Sequence, residues 1–242
     1  MLLTRANVGQ ICLRKAEHIE GRKTMTNFAR RLACAAFAIA AMAPAQPASA
    51  GDIVADWATV KTPPAPELKP VTVDPKTTAL LLLDFMKGNC GVRPRCQASV
   101  PSVKKILDAA RAHNMVVAYN LTGQTPKIED MVDPSLAPRA GEHLIKNGRG
   151  ANKWYNSDLE QALKDKGIRT VIITGTSAQG AVAGTTQGAT ERGFKAIVPV
   201  DGMSSEDAFN EQYAAWHLYK GGPVALVEHV TVTRGDLIKY GP

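Results

Sequence analysis

The residues able to do chemistry sit where apolar runs end. Asp84 closes the run Leu80-Leu81-Leu82-Leu83. A carboxylate at the carboxyl end of a buried strand stands where open α/β sheets place their sites. Burial raises its pKa and suits it to act as a general acid or base. The bland alternative is an ordinary turn aspartate. Lys146 follows Leu144-Ile145 and could bring an ammonium to the same mouth, although a loop lysine is commonly only solvated. Lys153, in Asn152-Lys153-Trp154, competes for that role. The turn Gly175-Thr176-Ser177 precedes a helix start, whose amides from Ala178 to Ala181 could hold a developing oxyanion or a carboxylate. Ser177 could equally be just the N-cap. Trp154 and Trp216 could line a pocket or fill core.

Several chemistries find no support in the spacing. The five histidines, His18, His113, His143, His217 and His229, show no paired ligand spacing, so neither a metal nor another cofactor is expected. Gly175 and Gly180 have the spacing of a phosphate loop, but Ala181-Val182 stand where Lys-Ser/Thr would be needed. No dinucleotide fingerprint and no Ser-His-Asp hydrolase elbow is present.

The elements that must position these groups alternate strand with helix. Strands are expected at 77–84, 114–119, 142–145, 171–173, 194–200 and 224–233, with helices at 98–113, 157–166, 177–192 and 206–219. The first run is continuously apolar, as in a strand covered on both faces. Six such strands make one α/β domain, a doubly wound, mostly parallel sheet with helices on both faces. The helix after Ser177 carries Ala178, Gly180, Ala181, Ala183, Gly184, Gly188 and Ala189, small enough to lie close to a sheet or to another subunit. Ser157 is placed to cap the helix that follows it.

The amino-terminal fifth reads differently. Met25 to Arg31 is basic, Leu32 to Met42 is apolar and Ala-rich, and Ala48-Ser49-Ala50 is an A-x-A site. That is the pattern of a secretory signal peptide over 25–50, with 1–24 an upstream extension. The apolar stretch is too short for a membrane span. A periplasmic or secreted protein starting near Gly51 is expected. Residues 1–50 carry five of the seven net positive charges, so the remainder holds only +2 and gives no reason to expect nucleic acid as a partner. Residues 51–74 form a proline-rich arm, with Pro63, Pro64, Pro66 and Pro70, and the domain proper runs over 75–242. Cys90 and Cys96 form one close pair, and export favours a disulfide over two free thiols.

Taken together, LLLLD (80–84), Lys146 ahead of NKWYNSDLEQAL, VIITGTSAQGAV (171–182) and IVPVDGMSS (197–205) resemble the isochorismatase-like superfamily, also called the cysteine hydrolases. The resemblance covers Thr77 to Ile238. It implies a hydrolase of a small molecule, commonly dimeric or tetrameric, with Asp84 as general base and Lys146 as the family lysine. It also implies that Gly175, Thr176, Ser177, Ala181 and Trp154 border the substrate. The family's nucleophilic cysteine falls at Ala181, its threonine three positions earlier at Ala178, and its glutamine two after the aspartate at Met86. The metal-binding Asp and His of nicotinamidases have no match. Without a thiolate there is no acyl-enzyme. Three readings follow: a hydrolase using Asp84 as acid or base with no covalent intermediate; a catalytically silent relative that binds a small molecule or builds an oligomer; and an amidohydrolase with its nucleophile moved to Cys90, Cys96 or Ser177.

Overall fold

A computed structural model describes residues 51–122 and 127–241. The expected upstream extension and signal peptide lie outside the described residues. Residues 51–61 and the rest of the described chain separate into two units. In the first, a single turn α1 (Ile53–Asp56) is capped by Asp52, whose side chain accepts from the Val54 amide at 3.0 Å.

The second unit is built on β2 (Thr78–Leu83), whose six residues are all buried. Side chains alternate across a strand. Leu81 and Leu83 therefore join one core layer with Trp154, Leu159, Leu163 and Val182, while Leu80 and Leu82 join the other with Val103, Ile106 and Leu107. Each buried leucine contributes about 1.5–3 kcal/mol relative to an exposed one. Around β2 lie β3 (Val116–Asn120), β4 (His143–Leu144), β5 (Thr170–Thr176), β6 (Lys195–Pro199) and β8 (Val230–Thr233), in the order β4-β3-β2-β5-β6-β8 and all parallel. These are the six expected strands. A seventh, β7 (Met203–Ser204), adds two residues beside the end of β5.

One face is covered by α2 (Pro94–Ala112), with proline at its first position, where a missing amide costs nothing. The opposite layer takes side chains from α3 (Leu159–Lys164), α4 (Ala183–Glu191) and α5 (Ala208–Trp216). Among the described residues no helix is long and apolar enough to cross a membrane.

Three expectations on the elements change. The run 224–233 is not one strand: Pro223 opens a helix, α6 (Val224–His229), and only Val230–Thr233 pairs with β6. A short apolar run is ambiguous between helix and strand until a neighbour claims it. The proline-rich arm is not irregular throughout: it contains a strand. β1 (Val71–Val73) pairs with β9 (Ile238–Tyr240), and the Thr233 hydroxyl donates to the Lys69 carbonyl at 2.6 Å. Part of the arm thus forms a two-stranded parallel sheet with the strand at 238–240. Ser157 is not at the cap position of α3, which Asp158 occupies, but its Oγ still accepts from the Leu159 amide at 3.3 Å.

Candidate active site

The strand order reverses between β2 and β5. β3 and β4 follow β2 to one side, and β6 and β8 follow β5 to the other. A crevice must open there at the carboxyl edge, because the two crossover connections leave in opposite directions. Leu83 is level with Gly175 in the ladder, so Asp84 and the turn Thr176-Ser177 leave the sheet side by side. Gly175 is required for that closeness: a Cβ there would lie 2.6 Å from the Leu83 carbonyl oxygen, and its φ is +152°.

Asp84 has φ +66°, a left-handed conformation that an aspartate tolerates better than a bulkier residue and that concentrates at functional sites. Its amide donates to the Asn120 carbonyl at 3.1 Å. Its side chain is 6% exposed. Oδ2 lies 3.0 Å from Lys153 Nζ, and Oδ1 accepts from the Asn120 side-chain amide. Burial pushes the Asp84 carboxyl above its usual range, and the Lys153 ammonium and Asn120 amide pull it only part of the way back.

Lys153 replaces Lys146 as the partner of Asp84. Lys146 is exposed, and its backbone amide donates to Asp158 Oδ1 at 2.9 Å. Lys153 is 3% exposed and also donates to the Gly150 carbonyl at 2.8 Å. The short β4 lets the chain turn away early, and seven further residues bring it back across α4. There the Lys153 amide donates to Thr185 Oγ1 at 3.2 Å, and the Trp154 indole to the Thr185 carbonyl at 2.7 Å. The small residues of α4 make room: a Cβ on Gly184 would lie 3.1 Å from the Ala151 backbone, and one on Gly188 2.6 Å from Asn152 and Trp154. They serve this segment of the same chain. Trp154, expected to border substrate, is buried and stacked on Phe194 with ring centroids 5.0 Å apart; it anchors Lys153 from behind.

The turn after β5 departs from a simple helix start. Residues Ala178–Val182 form a π-helical turn leading into α4, and the Thr176–Ser177 peptide is cis. Ser177 makes no side-chain cap; its carbonyl accepts from the Gly180 and Val182 amides at 3.2 and 3.1 Å. The Gly180 amide is therefore not free for an oxyanion. Ala181 is buried in this turn. Cys90 and Cys96 are joined in a disulfide and fully buried.

Two residues of this edge were not singled out from the sequence. Asn120 ends β3 level with Leu83, a register that only the folded sheet provides. Arg93 sits between the paired cysteines, and its Nη1 lies 3.4 Å from Thr176 Oγ1.

Comparison with known proteins gives the same frame. Residues 78–229 match the Isochorismatase domain. The chain is 28% identical over 131 residues to the N-carbamoylsarcosine amidase of Arthrobacter, covering 44% of this chain and 49% of that protein, so it spans about half of that relative. It is 22% identical over 152 residues to a secreted isochorismatase effector of Verticillium dahliae, covering 57% and 78%. Among solved structures, a cysteine hydrolase of Pseudomonas syringae superposes with a TM-score of 0.60 at 20% identity, over 71% of this chain and 94% of that one. With the domain match extending from the first residue of β2 to the last of α6, this chain belongs to the isochorismatase family.

Proposed function

We propose that this protein is a hydrolase of a small molecule in which Asp84 moves the proton and no covalent intermediate forms. The observation that carries this reading is the buried Asp84 carboxyl, held between Lys153 and Asn120 at the crevice between β2 and β5. Family membership supports hydrolysis of a small molecule as the activity class. The alanine at 181, where the family carries its thiol, favours chemistry without an acyl-enzyme.

A vinyl ether, the substrate type of isochorismatases, suits such a site. Protonated Asp84 would give its proton to the vinyl carbon, and the oxocarbenium ion so formed would add water. The water's surplus proton would return to the carboxylate as the hemiketal breaks its carbon–oxygen bond. Lys153 lowers the cost of the carboxylate formed at the first step, and Asn120 fixes which oxygen faces the substrate. A relocated nucleophile has weaker support. Cys90 and Cys96 have no free thiol, and among the described residues no base is hydrogen-bonded to Ser177.

Asp84→Asn should lower kcat by about 10²–10⁴-fold on isochorismate, with the fold retained by circular dichroism. Unchanged turnover in this variant would sink the reading. If neither protein turns over isochorismate or any of a set of small amides, yet a ligand raises Tm, the silent binding relative is favoured instead.

A further inference from the structure

The loop from Asp84 to Pro94 carries a second charged group toward the crevice, and nothing in the proton-transfer scheme uses it. Arg93 is the N-cap residue of α2 and is held from several directions. Its amide donates to the Cys90 carbonyl at 3.0 Å, its carbonyl accepts from the Gln97 amide at 3.1 Å, and the Cys90–Cys96 disulfide closes the loop around it. Pro94 fixes the next φ. The guanidinium is aimed across the sheet edge. Nη1 donates to Asn89 Oδ1 and approaches Thr176 Oγ1 at 3.4 Å. The Thr176 hydroxyl spends its own proton on the Ser204 carbonyl at 3.3 Å, so toward Arg93 it can only accept.

Charge at this mouth is unbalanced. Lys153 is already engaged by Asp84, at 3.0 Å. Arg93 is left with Glu206, whose side chain is 69% exposed and whose Oε1 is 3.4 Å from Nη2. Such a rim contact is weak and exchangeable. The guanidinium has five donors in a planar fork suited to a carboxylate, and its present contacts do not fill them. A cleft of about 480 Å³ lies beside Asn89, which Arg93 contacts; Met86, Lys87, Gly88, Thr122 and Asp130 complete its lining.

We propose that Arg93 is the anion receptor of this site, so that the substrate carries a carboxylate that displaces Glu206 while its reacting atom faces Asp84. This rests on the Asp84 crevice being the substrate site. It is tested by binding alone, so an inactive protein that keeps the carboxylate preference would remove the hydrolase reading and leave this one.

The test uses the disulfide-intact protein and isothermal titration in moderate salt with benzoate against benzamide and succinate against succinamide. The wild type should bind each carboxylate at least tenfold more tightly than its amide. Arg93→Met should abolish the preference, and Arg93→Lys, which keeps charge without the fork, should keep part of it. Glu206→Gln should tighten carboxylate binding about threefold by removing the internal competitor, which a purely structural Arg93–Glu206 pair would not do. Equal binding of acid and amide, an unchanged preference in Arg93→Met, or no carboxylate binding at 10 mM would overturn the proposal.

Discussion

At the scale of single residues, the site turns on one carboxyl group in conflict with its surroundings. Burial favours the neutral form of Asp84, and Lys153 favours the charged form, with burial the larger effect. A general acid works only while protonated. The rate should therefore be highest at low pH and fall as pH rises through the Asp84 value, which lies above the ordinary carboxylate range. A pH profile of kcat/KM reads this directly. In Lys153→Met the ammonium no longer favours ionisation, so the falling limb should move to higher pH. A limb that stays in place would show that another group titrates.

At the scale of elements, two neighbours aim the carboxyl group: the end of β3 and the segment 148–154 laid on α4. They meet at Gly148, where a Cβ would lie 2.1 Å from Asn120 Oδ1. Gly148→Ala must push either the loop or the Asn120 amide aside. Displacements of this size cost up to about a hundredfold in rate. We expect kcat/KM to fall about 10–100-fold with Tm little changed, because the loop is largely exposed and the core is untouched. A variant with wild-type kcat/KM would show that Asn120 does not set the geometry.

At the scale of the whole molecule, the disulfide bears on where the protein works. We propose that residues 25–50 direct secretion; a buried Cys90–Cys96 bond fits an oxidising compartment, and a secreted relative exists within the family. Intact mass of the protein from its native host should give a chain starting at Gly51 and lighter by two hydrogens than the reduced form. A cytoplasmic protein retaining residues before 51 would contradict this. Replacing both cysteines with serine should lower stability by about 2 kcal/mol, since the closed loop is short, and a denaturant titration reads that loss.

The sequence by itself determined the strand-helix alternation, the parallel sheet and the placing of Asp84, because those follow from the continuous apolar run 79–83, the breakers around it and local side-chain chemistry. It also pointed to a Cys90–Cys96 pair, since the two lie only six apart and are the only cysteines after residue 50. Choosing between Lys146 and Lys153 needed the tertiary structure. Lys146 directly follows a strand end and Lys153 lies in the loop beyond it, and only the packing of Ala151, Asn152 and Trp154 onto the glycines of α4 carries one ammonium to the carboxylate. Asn120 and Arg93 entered the site for the same reason. Their positions depend on strand register and on a cross-sheet contact between residues 83 apart, and no local pattern encodes either.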